Sequence, residues 1–242
     1  MRPRKTKRQR HTSIERVAKI QNVLLDLDGT LTDPQAGITR CIAHALEAMG
    51  RTPPPTQELL FAIGPPLRKS FATLLDTSDT AQIETAMALY RERFATIGLF
   101  ENEVYDGVPE MLAKLHSAGY RLLLATAKPH DYAVRILEHF NLHLPFTGMY
   151  GAELDGTRQD KCDLLTYLLA REQLDANTCV MIGDRSHDIH AAQANGCASI
   201  GVKWGYGSGE ELAGADRRCD TPQELLSVIA ALSDGSNLKT KV

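Results

Sequence analysis

Cysteine is scarce in this chain and poorly spaced for cross-linking. The five cysteines, Cys41, Cys162, Cys179, Cys197 and Cys219, are scattered and odd in number, and none forms a C-x-x-C pair. That argues against a disulfide framework or a structural zinc site and points to reduced thiols in a cytoplasmic protein. Long apolar runs are also missing. Nothing approaches the roughly 18 consecutive residues that a membrane helix needs, so no membrane partner is expected. The N-terminus has no apolar stretch followed by a small-residue cleavage site, so no secretory signal is expected either.

Charge of one sign is lacking where it might be sought. The 242 residues carry a net −3. Yet residues 1–20 hold eight lysines and arginines against Glu15 alone, a formal +7, which leaves −10 on the rest. The opening "MRPRKTKRQRH" has no apolar periodicity, so residues 1–19 are expected to be a disordered basic tail. Such a tail could touch nucleic acid. Its plainer explanation is a solvated extension, or a start codon placed too far upstream. The acidic body argues against nucleic acid as the main ligand, and oligomeric state is not legible.

What is present is an ordinary globular composition, 43% hydrophobic and 24% charged, enough for one large domain plus a small inserted one. "NVLLDL" (22–27), "YRLLLAT" (120–126), "TCVMIG" (178–183) and "CASIGV" (197–202) are apolar runs of strand length. Helical patterns are expected near 109–118, 130–140, 161–172, 187–195 and 222–232. In the third of these, Leu164, Leu165, Leu168 and Leu169 share a face. Strand–helix alternation with fully apolar strands implies an α/β, Rossmann-like doubly wound parallel sheet covered on both faces. Residues 34–105 break the alternation with three helical segments and Pro-rich gaps such as "TPPPT". They are expected to be an inserted α-helical domain within a core of 20–33 and 106–235, with 236–242 as a C-terminal tail.

Ligands of open parallel sheets sit at the carboxyl ends of the strands. There this chain offers "DLDGT", "TAKP" and "GDRSHD". Asp26 and Asp28, followed by a glycine turn, suit a divalent cation or a division of acid and base roles. Asp184 and Asp188 add two more carboxylates, and such a cluster repels itself unless a cation sits within it. Mg²⁺ prefers one or two carboxylates plus phosphate oxygens. Thr126, Lys128 and Lys161 supply a hydroxyl and two ammonium groups suited to the equatorial oxygens of a phosphoryl group.

"DLDGTLTD", "LLLATAKP", a lysine opening a helix and "VMIGDRSHDI", in that order, resemble the four motifs of the haloacid dehalogenase superfamily. The likeness spans residues 22–232. The position of the insert resembles the helical-cap branch, and "AIGPPL" (62–67) is similar to the cap segment of phosphoglycolate phosphatase-like members. The resemblance implies that Asp26 is the nucleophile, forming an aspartyl-phosphate, and that Asp28 is the general acid and base. Thr126, helped by the N–H of Ala127, would hold the phosphoryl oxygens, and Lys161 would neutralise charge. Mg²⁺ would bind Asp26, the Asp28 backbone carbonyl and Asp184, with Asp188 in support and Lys128 in a less defined role. Asp28 favours phosphate monoesters, because dehalogenases and phosphonatases of the superfamily lack an Asp there. The implied partner is a small phosphorylated metabolite, phosphoglycolate first and a nucleoside 5′-monophosphate close behind. A sugar-phosphate mutase and a non-enzymatic binding protein on the same fold are the rivals.

Several residues have plainer explanations. Asp pairs in loops are commonly solvated turn residues. An acidic residue such as Asp188 suits any helix N-terminus. Arg68 could meet a substrate carboxylate or a second phosphate, though arginines on cap helices usually face solvent. His187 and His190 are expected on an exposed face, since Mg²⁺ prefers oxygen. Asp33 reads as a loop or hinge residue, and Trp204 as part of a loop at the rim. "ELDGTRQD" (153–160) nearly repeats "DLDGTLTD" but has Glu153 at the nucleophile position, so it is expected to be the loop that delivers Lys161.

Overall fold

The computed structural model describes residues 19–233. The expected basic tail, apart from Lys19, and the expected C-terminal tail lie outside the described residues. The central sheet is parallel, with strand order β5-β4-β1-β6-β7-β8. Its strands are β1 (Asn22–Leu25), β4 (Arg121–Pro129), β5 (Phe146–Ala152), β6 (Cys179–Gly183), β7 (Ala198–Val202) and β8 (Arg217–Cys219). A separate antiparallel pair, β2 (Thr32–Asp33) and β3 (Glu103–Val104), brackets the helical insert.

The four apolar runs expected as strands are β1, β4, β6 and β7. Although wholly apolar, they still alternate. Val23, Leu25, Leu122, Leu124, Val180 and Ile182 face one layer of the core. Leu24, Leu123, Ala125 and Met181 face the other. The first layer is covered by α4 (Val108–Ser117), α5 (His130–His139) and α8 (Leu225–Ser233). The second is covered by α6 (Lys161–Glu172) and α7 (Ser186–Asn195). Leu164, Leu165 and Leu168 of α6 are fully buried, which is the stripe the spacing implied.

β5 and β8 have no counterpart among the expected strands. They form the two edges of the sheet, and edge strands need no apolar run. β5 is half-buried and interrupted by glycine, and β8 is "RRC". The insert contains α1 (Gln35–Ala48), a 3-10 turn at Thr56–Ala62, α2 (Leu67–Leu75) and α3 (Thr80–Arg93), and α3 runs into a π turn at Phe94–Gly98. Its buried residues Ile42, Phe71 and Phe94 belong to the same hydrophobic cluster as the first layer of the sheet core. Among the described residues, no helix is long and apolar enough to cross a membrane.

Since β1 is flanked by β4 on one side and β6 on the other, the chain reverses direction across the sheet at β1. A crevice forms at the carboxyl ends at such a switch point.

Candidate active site

The carboxyl end of β1 supplies Asp26, whose backbone N–H donates to Ile182 O at 3.0 Å and so extends the parallel ladder. The chain then turns sharply. Gly29 has φ +81°, and a Cβ there would fall 2.2 Å from Asp184 Oδ2. Only glycine allows this turn to lie against the carboxylate.

Residues that follow β1 and β6 meet the first residue of α6. Lys161 Nζ lies 2.8 Å from Asp26 Oδ1 and 2.6 Å from Asp188 Oδ1. All three side chains are buried. Lys161 is set in place by the cap of α6, where the Asp160 carboxylate accepts from the N–H groups of Cys162 and Asp163. Asp188 is held in turn by the Arg185 N–H, which donates to its Oδ2 at 3.1 Å. Thr126 is buried within β4, and its hydroxyl accepts from the Lys128 N–H at 3.3 Å. Lys128, undefined in role by the motif, forms an ion pair with Asp28 Oδ2 at 2.7 Å. Ala127, Asp28 and Lys128 all line the adjoining cavity.

Electrostatics at the centre are strained. Burial raises Asp26 above the ordinary carboxylate range, although the Lys161 charge works against it. Burial, then the Asp188 and Asp26 charges, push Asp184 up to about 8. Asp188 is held below its ordinary value: burial opposes this, but Lys161 and His187 outweigh it. Burial also opposes the Lys161 charge, yet Asp188 and Asp26 together keep its pKa above the usual lysine range. One lysine thus bridges Asp26 and Asp188, while Asp184 feels both of their charges.

This arrangement fits a divalent cation. Asp184 Oδ2 accepts from the Tyr206 N–H at 2.7 Å, but its Oδ1 is buried with no hydrogen-bond partner. An orphaned buried carboxylate oxygen beside like charges calls for positive charge. Ligand atoms of Asp26, His187 and Asp188 also lie within 4.8 Å of one another. However, Lys161 already bridges two of these residues, and imidazole suits Mg²⁺ poorly. Asp184, whose unpartnered oxygen lies near the charges of Asp26 and Asp188, is the carboxylate of the site that best fits a hard cation.

One expectation needs revision. His187 is not on an open face: its side chain is 31% exposed, and its Nε2 is buried 4.0 Å from Asp188 Oδ1. It is half-covered because Gly64 of the insert packs against it and against Arg185. Arg68 does line the cavity, but its guanidinium is engaged by Glu84 of α3. Asp33, expected in a loop or hinge, ends the short strand β2 and accepts from the Gln35 N–H and from the Tyr206 hydroxyl. Trp204 donates to Thr30 O at 3.0 Å.

The cavity, of about 320 Å³, lies between the insert and the sheet. Ile38, Leu67, Met87, Tyr90, Phe94 and Tyr132 give it apolar and aromatic walls. Glu153, Leu154, Asp155, Gly156 and Gln159 of the "ELDGTRQD" loop close the opposite side. That loop therefore lines the cavity as well as delivering Lys161. Three arginines cross the seam between insert and core, each donating to a backbone carbonyl: Arg91 to Leu154 (2.9 Å), Arg135 to Ala95 (2.9 Å) and Arg185 to Ile63 (2.7 Å). None was singled out from sequence for this role, because no local pattern marks a side chain that binds backbone elsewhere.

A Rossmann-like sheet with carboxylates and a lysine at its switch point defines a class of hydrolase, and known proteins identify it. The chain belongs to the haloacid dehalogenase-like hydrolase family, whose model matches residues 23–202. It is 46% identical over 211 residues to a 5′-nucleotidase of Pseudomonas aeruginosa, covering 87% of this chain and 93% of that one. It is 30% identical over 222 residues to a phosphoglycolate phosphatase of Vibrio parahaemolyticus, covering 87% and 96%. The crystal structure of a predicted phosphatase from Clostridium acetobutylicum superposes with a TM-score of 0.83 at 38% identity, covering 87% of this chain and 99% of that one. The phosphatase names of these relatives agree with the phosphomonoester chemistry expected from Asp28.

Proposed function

We propose that the protein is a Mg²⁺-dependent phosphatase that hydrolyses a small phosphomonoester through an aspartyl-phosphate on Asp26. The observation that carries this reading is the buried lysine shared by Asp26 and Asp188 beside an aromatic-walled cavity. Residues 34–105 act as the cap over a core of 20–33 and 106–235. The five cysteines are free thiols, which fits a cytoplasmic location.

In this reading Asp26 Oδ attacks phosphorus while Lys161 balances the charge of nucleophile and phosphoryl group. Asp28 gives a proton to the leaving oxygen and then takes one from the water that hydrolyses the acyl phosphate. The Thr126 hydroxyl and the Ala127 N–H hold the equatorial oxygens. Asp26, the Asp28 backbone carbonyl and Asp184 would hold Mg²⁺, which supplies charge neutralisation for the nucleophile and the phosphoryl oxygens. The cap excludes water from the first step.

A nucleoside 5′-monophosphate is the preferred substrate class. Arg68, about half exposed, is paired with Glu84, and Arg91 gives one N–H to a carbonyl, so neither is dedicated to the carboxylate of phosphoglycolate. The aromatic walls instead suit a ring. The 46% identical 5′-nucleotidase supports the same choice. Phosphoglycolate is the second reading, supported by the Vibrio relative. Phosphate release from adenosine monophosphate and from phosphoglycolate, measured side by side with and without EDTA, tests it. No turnover of either, or undiminished activity in Asp26→Asn, overturns the phosphatase reading.

A further inference from the structure

Asp28 does not act alone. Its Oδ2 is anchored by Lys128 Nζ at 2.7 Å, whereas its Oδ1 is buried without a hydrogen-bond partner. Asp28 lines the cavity, as do Lys128 and Phe94. One carboxylate oxygen is thus fixed and the other is left for a group that enters the cavity. Lys128 is itself enclosed: its side chain is 5% exposed, and its ammonium lies 4.8 Å from the centroid of the Phe94 ring. Phe94 belongs to the cap, in the π turn after α3. It is stacked on Tyr90 (5.1 Å, 17°) and meets Tyr132 of α5 edge-on (5.6 Å).

We propose that Lys128 and the cap residue Phe94 are positioning residues for leaving-group departure, aiming Asp28 Oδ1 at the leaving oxygen only while the cap is seated. This rests on the phosphatase reading above. As the Asp26 oxygen–phosphorus bond forms, the bond from phosphorus to the leaving oxygen breaks. The proton passes from Asp28 to that oxygen. The carboxylate so formed is stabilised by the Lys128 ammonium, giving the ion pair seen in the structure. Asp28 recovers its proton from the water that next attacks the aspartyl-phosphate, so the cycle balances with water as the only co-reactant. Lys128 gains interaction energy as charge develops on Asp28, which is the condition for accelerating the step. Phe94 restricts the ammonium through its ring face and keeps bulk water from it. A motif on the core and an aromatic on the cap would then form one unit, which makes cap closure part of the chemistry as well as a barrier to solvent.

The test uses aryl phosphates of one ring shape and different leaving ability: phenyl phosphate, which needs a proton on its leaving oxygen, and p-nitrophenyl and 2,4-dinitrophenyl phosphate, which need it progressively less. In Lys128→Met, kcat/KM for phenyl phosphate should fall on the order of 100-fold, within the usual range for general acid catalysis. The dinitrophenyl ester should lose only about threefold, by the same logic. In Phe94→Leu the phenyl ester should lose roughly 5- to 10-fold, the scale of one desolvated cation–ring contact, with the same dependence on leaving group. Phe94→Tyr should restore it. Equal losses across the three esters, or no loss in either variant, overturns the proposal while leaving the phosphatase reading intact. If the unmodified enzyme hydrolyses none of the esters nor either metabolite, the phosphatase reading fails instead. If Lys128→Met does not fold, the Phe94 pair decides the outcome by the same ratio.

Discussion

Replacing Lys161 with methionine removes one charge and keeps the stem that packs in the core. The consequence can be sized from the geometry. Two bridges of 2.8 and 2.6 Å are lost. At an effective dielectric of about 20, each is worth about 6 kcal/mol of attraction. The Asp26 and Asp188 oxygens, within 4.8 Å of each other, then repel by at least about 3 kcal/mol on the same scale. Against this, the lysine no longer has to be desolvated, which returns several kcal/mol. The net cost of breaking a buried pair is typically about 3–5 kcal/mol, a large share of the roughly 5–15 kcal/mol of a whole domain. Urea denaturation of Lys161→Met in EDTA at pH 8 should show a loss of that size. The gap should narrow towards pH 5: the variant's two carboxylates have raised pKa values, so they are protonated and uncharged at lower pH, and the penalty grows as pH rises. A loss below about 1 kcal/mol, or a gap that widens on acidification, would refute the account of Lys161 as the counter-charge of the site.

Other outcomes follow from the same site. Asp26→Asn should keep the fold and lose at least about 1000-fold in p-nitrophenyl phosphate turnover, as removal of a covalent nucleophile does; retention of full activity sinks the nucleophile assignment. Asp184 is pushed up to about 8, so a metal-free protein loses stability as pH climbs from the unfolded carboxylate range through that value. Mg²⁺ binds the ionised form, so its thermal shift should be larger at pH 8.5 than at pH 6 in the native protein and should vanish in Asp184→Ala; a pH-independent shift contradicts this. Arg185→Ala removes the bond to Ile63 O and the contact with Glu211. It should cost about 1–2 kcal/mol in urea melts, and an unchanged midpoint would show that this part of the seam carries no energy.

Legibility of the fold followed burial. β1, β4, β6 and β7 are sandwiched between helices, so their sequences had to be apolar. β5 and β8 lie at the edges, where Thr147, Gly148 and Arg218 meet the demands of pairing and break up any continuous apolar run. At the site, Asp26 and Asp184 directly follow buried strands and Lys161 opens a helix, so their places beside the sheet could be read from the ordered motifs. The partnership of Lys128 with Asp28 could not, since 100 residues separate the two. His187 was misread because helical spacing on α7 reveals nothing of Gly64, which comes from the cap to cover it. The near-repeat "ELDGTRQD" shows the limit of likeness. The letters "LDG" make a tight turn against Asp184 after a buried strand in one place and part of a cavity wall after an edge strand in the other.

The seam between cap and core has a kinetic corollary. It is held by the three arginine–carbonyl bonds, by two ring contacts, Phe94 with Tyr132 and Phe100 with His139, by Lys128 over the Phe94 ring, and by apolar packing continuous with the sheet core. At about 0.5–1 kcal/mol for each partly exposed bond and a similar amount for each ring pair, the polar and ring contacts alone are worth on the order of 4 kcal/mol, and the apolar packing adds to that. Fewer than roughly one molecule in a thousand would then stand open at any instant. A product trapped beneath must wait for that rare state, so turnover of good substrates becomes a clock set by the seam, and weakening an arginine far from phosphorus could make the enzyme faster.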